Sequence, residues 1–404
     1  DPVNYFPGGR GVPTGGVVHQ QRLLLMANPG FSMGIFGSRI NQYKDFVRGP
    51  QDDDPFFFAI DTSDTPTIKW AESQRNLVIG TSGGDYHLSA QVSLSPSDIQ
   101  ALKQNNARSH GAKMVTINTN IVYIEQGKEK LRSTACSDTV EAQSSNDISL
   151  IAQHLLDARI KRVVLMQTPE TVIIGLREDN SLVGISYVAE TNQAAWFEIE
   201  SDTKIIDIAV AYSIINNEDE LWAVTSNYNG SPPFHLSKMP YPHRVFTPRT
   251  GQFDPTLTEQ GVVLLDNWQT GTIETTDNNI ITGLGDYEGL VLGVTVDDAW
   301  AGSYEVSLGQ ITLEIAVGEP NYAGTYAIGI PYTAIAETFE EDTGNPRGVA
   351  FGTKRRWNRL FVKTLNSALP IINGKLPPDR QPGTLMDIAE IIQDGLTDNE
   401  MRGV

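Results

Sequence analysis

The sequence holds a single cysteine, Cys136, which excludes an intramolecular disulfide and any cysteine-cluster metal site. Cations are scarce: 30 Lys and Arg stand against 49 Asp and Glu, a formal charge of −19. So acidic a chain has no basic excess with which to coat nucleic acid or an anionic membrane surface. No apolar run approaches the roughly 20 residues of a membrane-spanning helix, so stable membrane insertion is not expected. No signal-peptide pattern is read at the start, and the opening at Asp1 without methionine reads as a fragment or processed product. Long polar tracts are missing too; with 40% hydrophobic and 20% charged residues, the composition excludes intrinsic disorder. What the chain does have is turn-formers, Gly 36 and Pro 22, in 404 residues, enough for two or three domains with real cores.

Short β-type runs dominate. From Arg22 to about Met239 a unit recurs of a strand, a polar turn, a second strand, another turn and a third strand. Its comparable central strands start at Leu23, Leu77, Ile121, Val172 and Leu221, which are 54, 44, 51 and 49 residues apart. A period of about 40–50 residues with three or four strands per unit is the signature of a propeller. The turns Asn118-Thr119-Asn120, Glu125-Gln126-Gly127-Lys128 and Asp179-Asn180 supply residues that tolerate tight or left-handed backbone. The expected fold is mainly β, with propeller-like repeated antiparallel blades, an inserted small β domain and few helices. A sandwich of unrelated hairpins is the plainer alternative.

Three short helices are expected as connectors. Ser95-Pro96-Ser97-Asp98 places a cap and a first-turn proline before Ile99–Leu102. Asp147–Leu156 carries Ile148, Ile151, Leu155 and Leu156 on one side, and Thr384 heads an apolar stripe that ends at Leu396. After Met239, prolines at 240, 242 and 248 break regular structure, and charge thins out through Val262–Tyr332. This predicts a propeller-like domain over 1–240, an inserted β domain over 241–335, and a return strand with a C-terminal helical segment over 336–404.

Several motifs invite a chemical reading. Gly80-Thr81-Ser82-Gly83-Gly84 satisfies G-x-S-x-G, but a nucleophile elbow needs a helix after the serine, and Asp85-Tyr86-His87-Leu88 reads as a returning strand. A glycine-rich hairpin turn is the reading preferred here, with a left-handed backbone at Gly83 or Gly84; a hydrolase would need Ser82 beside a histidine and a carboxylate. The six histidines (His19, His87, His110, His154, His235, His243) show no metal-ligand spacing. Asp52-Asp53-Asp54 resembles part of a calcium loop without its glycine and terminal glutamate, so a solvated acidic turn is expected. Asn229-Gly230-Ser231 matches a glycosylation sequon and is discounted for want of a secretion signal. Lys354-Arg355-Arg356 with Arg359 is the one dense basic cluster, and its alternation with Trp357, Leu360 and Phe361 suggests the charged face of a strand. No catalytic residue, cofactor site or metal site is expected.

Taken in order, several segments resemble a known family. Gln21-Arg22-Leu23, Gly37-Ser38-Arg39 and Tyr43-Lys44-Asp45-Phe46 are similar to the opening of short-tailed phage tail proteins. The acidic-aromatic stretch Asp52–Phe58, Ile68-Lys69-Trp70, Leu77–Gly84 and Asp219-Glu220-Leu221-Trp222 follow the same group. So do Gly283-Leu284, Glu288-Gly289, Gly309–Leu313 and Ile328–Tyr332 in the insert, and Lys354-Arg355-Arg356, Asn358-Arg359 and Val362 after it. Over about residues 20–365 the chain resembles the tail nozzle, or tail tubular protein B-like, group of podovirus phages.

That resemblance implies a structural virion protein, assembled in the bacterial host cytoplasm. Six copies would form the distal tube of the tail, with an adaptor ring and tail fibres or spikes as partners and DNA passing through. In such a ring, Lys354, Arg355, Arg356 and Arg359 are the candidate subunit interface, meeting Glu340, Glu341 and Asp342 or Asp52–Asp54 of a neighbour. The remaining acids would face the channel. The alternative is a propeller-type adhesin that binds a host-surface glycan, for which aromatics and amides at one propeller mouth are expected.

Overall fold

The computed structural model describes residues 11–62, 64–90, 93–135, 145–188, 193–201, 203–214, 217–226, 234–239, 265–297, 299–314, 321–333, 335, 359–367, 371–375 and 393–402. The chain divides into two compact units, Asp1–Tyr241 with Val263–Pro331, and Pro242–Val262 with Tyr332–Val404. The first is built from five successive antiparallel meanders. Sheet one holds β1 (Gly15–His19), β2 (Arg22–Asn28), β3 (Phe31–Gly37) and β4 (Phe56–Ala59). Sheet two holds β5 (Ile68–Ser73), β6 (Leu77–Thr81), β7 (Gly84–Ser89) and β8 (Gln100–Lys103). Sheet three runs through β9 (Val115–Ile117), β10 (Asn120–Ile124), β11 (Leu131–Ala135) and β12 (Asn146–Asp147). Sheet four has β13 (Ile160–Met166), β14 (Val172–Arg177), β15 (Leu182–Val188) and β16 (Gln193–Ile199); sheet five has β17 (Ile205–Ser213), β18 (Glu218–Ser226) and β19 (Phe234–Met239).

Successive sheets share cores. Leu24, Met26 and Ile35 of sheet one pack with Leu77, Ile79 and Leu88 of sheet two. Trp70 and Val78 then meet Ile121 and Tyr123 of sheet three. Val122 and Ile124, on the opposite face of β10, join Ile173 and Val183 of sheet four, whose Ile174 and Leu176 pack on Ile208 and Leu221 of sheet five. Neighbouring residues of one strand thus point to different partner sheets, as the period-2 alternation of a strand requires. This explains the continuous apolar runs in the sequence: β6 and β10 are buried at every position, whereas β2 and β18 alternate over residues 22–26 and 221–225. Each fully buried aliphatic side chain contributes about 1.5–3 kcal/mol before entropy is charged against it.

The insert carries its own core of Ile273, Leu292, Val294, Val306, Ile311 and Ile328. Its main sheet is ordered β20 (Asp266–Ile273), β25 (Gly324–Ile330), β22 (Val291–Val296), β23 (Ala299–Glu305), with β21 (Ile280–Thr282) paired to β24 (Gln310–Thr312). In the second unit, β26 (Arg359–Ser367) pairs antiparallel with β27 (Gln393–Arg402). The architecture is therefore mainly β, with propeller-like antiparallel blades and an inserted small β domain.

The helices expected from sequence are corrected. Gln100–Lys103 form β8, paired to Tyr86–Ser89, and Ser95-Pro96-Ser97-Asp98 make a tight turn closed by a Ser95–Asp98 bridge. A one-turn helix there leaves its terminal amides and carbonyls unpaired, whereas the open edge of β7 satisfies them. Asn146–Asp147 form β12, and only Gln153–Leu156 is helical, as a 3-10 turn. Ile151, counted in the apolar face, is exposed. Gln393–Leu396, read as a helix end, belong to β27; residues 384–392 lie outside the described residues.

Candidate functional site

The segments that carry the family resemblance meet around Arg22. This residue opens β2 and its side chain is fully buried. The guanidinium Nη1 donates to the carbonyls of Ser38 (2.6 Å), Asp54 (2.9 Å) and Asp53 (3.3 Å), while Nη2 donates to Asp52 O. Its plane lies 5.4 Å from the Phe56 ring centre. Gly37 lets that ring approach, since a Cβ there would stand 2.5 Å from Phe56 Cε1. Ser38 Oγ accepts the Leu23 amide at 2.9 Å and donates to Arg39 O at 3.0 Å. Burial lowers the Arg22 pKa and the charges of Asp53, Asp54 and Asp52 oppose the shift. An arginine starts so far above neutrality that it keeps its charge here.

The Asp52–Asp54 turn is thus not a plain solvated acidic turn. Its carbonyls face a cation supplied by the chain itself, and Asp54 is buried, with its carboxylate paired to Arg39 and accepting the Gln51 amide at 3.0 Å. The Gln51 hydrogen bond and Arg39 hold the Asp54 carboxyl below the ordinary range, against the opposite pull of burial. The sequence carried one signal for this arrangement: an arginine directly before the apolar run Leu23-Leu24-Leu25-Met26.

Ser82 and Gly83 form the turn between paired Thr81 and Gly84. The Ser82 hydroxyl oxygen accepts the Thr67 amide at 2.9 Å, and the strand β7, not a helix, follows. His87 is buried along β7, opposite Val78 and Leu102, and burial lowers its pKa. The hairpin reading stands, with left-handed backbone at Gly84 (φ 135°). A Cβ at Gly84 would lie 2.2 Å from the carbonyl oxygen of Asn105. Gly84→Ala is expected to destabilise by about 2 kcal/mol or more. Ser82→Ala is expected to cost only about 1 kcal/mol, for one orphaned amide, and to leave assembly unchanged. Urea denaturation of both variants checks the ranking.

Next to this turn lies a buried carboxylate that sequence reading passed over. Asp85 Oδ2 accepts from Tyr123 OH (2.8 Å) and Asn105 Nδ2 (3.0 Å), and Oδ1 accepts from Ser109 Oγ (3.3 Å). Tyr123 OH also contacts Ser145 Oγ at 2.8 Å, and its ring centre is 5.1 Å from that of Trp70. Burial raises the Asp85 pKa despite these donors, and burial with the Asp85 charge raises that of Tyr123. The network ties β7 of sheet two to β10 of sheet three. It is a joint between the two sheets.

The remaining candidates stay apart. His19 bonds Ser73 Oγ at 2.8 Å, His110 accepts the Ala112 amide at 3.1 Å, His154 lies in the 3-10 turn, and His235 is 3.6 Å from Asp286. Among the described residues no three His, Cys, Asp or Glu side chains gather as metal ligands. A small, partly open recess is lined by Thr203, His235, Asn267, Asp286, Tyr287 and Leu290. Arg359 begins β26, opposite Arg402. Cys136, His243, Asn229–Ser231, Glu340–Asp342 and the cluster Lys354, Arg355, Arg356 lie outside the described residues.

No protein-family model matches the chain, and no curated protein matches it. Among solved structures it is similar to a luciferin-regenerating enzyme, at 13% identity over 54% of this chain and 73% of that one, with a TM-score of 0.30. Yeast RCC1 (Prp20) bound to Kap60 aligns at 9% identity over 52% of this chain and 53% of that one, TM-score 0.30. A protein from Lactobacillus plantarum aligns at 10% identity over 78% and 87%, TM-score 0.35. With overall scores this low, the fold class rests on the sheets themselves.

Proposed function

We propose that this chain is a structural subunit of the tail nozzle of a short-tailed bacteriophage, one of a ring of copies that forms a conduit for DNA. The observation that carries the reading is the convergence at Arg22. Gln21-Arg22-Leu23, Gly37-Ser38-Arg39 and Asp52–Phe58, three separated segments of the family resemblance, fold into one mutually bonded cluster. A chance likeness has no reason to concentrate in residues that hold one another. Charge supports the same reading, because a channel wall lined with carboxylates repels phosphates and lets DNA pass without adhering.

A ring needs two different complementary faces on every subunit. In this proposal Lys354, Arg355, Arg356 and Arg359 serve one face, and the adaptor ring and tail fibres bind elsewhere on the virion tail. Mass measurement and imaging of the assembled particle test the proposal directly. A ring with a net negative inner wall is expected, together with negligible duplex DNA binding by the isolated protein at physiological salt. Charge reversal at Arg355, Arg356 and Arg359 is expected to weaken assembly and leave the subunit fold unchanged. Tight, salt-sensitive DNA binding, or a basic inner wall, would overturn it.

A further inference from the structure

One turn in the insert breaks the chemistry that its backbone asks for. Ser307 and Gln310 pair as a bridge, and Leu308 and Gly309 between them both have positive φ, 55° and 68°. Two successive left-handed residues make the tight hairpin turn for which Asn-Gly or Asp-Gly is strongly favoured, since Cβ crowds the following carbonyl there and a short polar side chain offsets the cost by local hydrogen bonding. Most other left-handed positions carry Asn, Asp or Gly, and the exceptions are Gln20, Gln21, Ala27, Lys128 and Arg159, none with a large apolar side chain. Leu308 is the only leucine, isoleucine or valine among the described residues in such a position.

The same side chain is 88% exposed, the highest value for a large apolar residue among the described residues. The backbone that carries it is held in place. The Glu288 carboxylate accepts both turn amides, Leu308 N at 2.8 Å and Gly309 N at 2.7 Å, and Gly309 O accepts the Leu284 amide at 2.9 Å. A strained, rigid, water-facing leucine does nothing for the fold that asparagine would not do better. Strain kept where it brings the fold no benefit points to a contact made by the side chain. A pre-ordered apolar knob loses little freedom on docking.

The surroundings specify the receiving surface. Residues 265–333 contain ten Asp and Glu and no Lys, Arg or His. Glu288 and Glu305 flank the turn, and exposed Val291 lies opposite Glu305 on β22. An apolar knob in an acidic field fits an apolar surface rimmed by cations and is repelled by anionic lipid. The chain itself offers cations beside an apolar side chain on β26, where Arg359 pairs with Arg402 two residues before exposed Phe361.

We infer that Leu308 is a fixed apolar contact by which the inserted domain docks on a second copy of this chain; the inference rests on the reading of the chain as a ring subunit. Sedimentation of the full chain over a concentration series, with Leu308→Asn and Leu308→Met beside the wild type, tests it. Leu308→Asn is expected to raise the melting temperature by about 1–3 °C and to weaken self-association by about tenfold or more. Leu308→Met keeps an apolar knob and is expected to associate within about threefold of wild type. Raising the salt is expected to weaken association of the wild type, through screening of the cationic rim. Unchanged association of Leu308→Asn would overturn the inference and leave the ring reading standing. A lower melting temperature for that variant would overturn the premise of strain, and salt-independent association would overturn the cationic rim. A wild type that stays monomeric at every concentration would overturn both readings.

Discussion

Arg22→Ala is expected to destabilise the protein by about 3–5 kcal/mol, the range for removing one partner of a buried charged network. The guanidinium bonds four backbone carbonyls, of which Asp53 O also accepts the Ile40 amide. Its loss takes the donor from the buried bonds to Ser38 O and Asp54 O and empties the space beneath the Phe56 ring. Arg22→Lys keeps the charge but offers a single ammonium in place of a planar fork, so it is expected to recover less than half of the loss. Arg39→Ala is the contrast: Arg39 is itself partly exposed and buried Asp54 keeps the Gln51 amide, so a smaller loss than that of Arg22→Ala is expected. Urea denaturation of the three variants decides the order. If Arg22→Ala and Arg39→Ala cost the same, the cluster does not organise sheet one.

The second large effect is expected at Asp85. Its side chain accepts from Tyr123, Asn105 and Ser109 and is 1% exposed, so Asp85→Ala strands three donors at once and opens a void, at a cost of about 3–4 kcal/mol. Tyr123→Phe removes one of those donors and is expected to cost about 1 kcal/mol. The pH dependence has a definite sign. Burial raises the folded-state pKa of Asp85, so the folded protein binds this proton more tightly than the unfolded chain does. The stability linked to that proton is fully present at low pH, and it is lost as the pH rises through the folded pKa. Relative to Asp85→Asn, which cannot titrate, the wild type should gain stability as the pH falls toward the ordinary carboxylate range. A wild type that instead loses stability against Asp85→Asn over that range would show that the three donors outweigh burial.

The two networks differ in how far they could be read from sequence. Central strands were legible because β6, β10 and β14 are covered on both faces and become unbroken apolar runs. The outer strands β4, β8, β12 and β16 were passed over or misread. They are short or mixed in polarity, and β8 has three exposed positions in four, so neither periodicity nor hydrophobicity marks it. The turns at Asn118 and Asn180 were legible from residue type, and the left-handed position near Gly127 falls on Lys128. The Arg22 cluster was half legible: its segments stood out through the family resemblance, while their contact is a product of the meander bringing residues 22, 38 and 52–54 together. Asp85 read only as the first residue of a returning strand. Its role depends on Tyr123, 38 residues away in sequence, and no local pattern announces such a pair.

The connectivity of the first unit has a kinetic consequence. In all five meanders each strand pairs with the next one along the chain, so the ladders close local loops, the longest being residues 38–55 between β3 and β4. Loop-closure entropy is small for such pairings, and a sheet can form before its neighbours exist. The cores between sheets then couple only adjacent members. Order can therefore spread from any one sheet in either direction, sheet by sheet, instead of waiting for the two ends of the chain to meet. A chain emerging from a ribosome could fold its first sheets before the insert has been synthesised, and the long sequence separation between β20 and β25 makes that insert the slowest part of the unit to form.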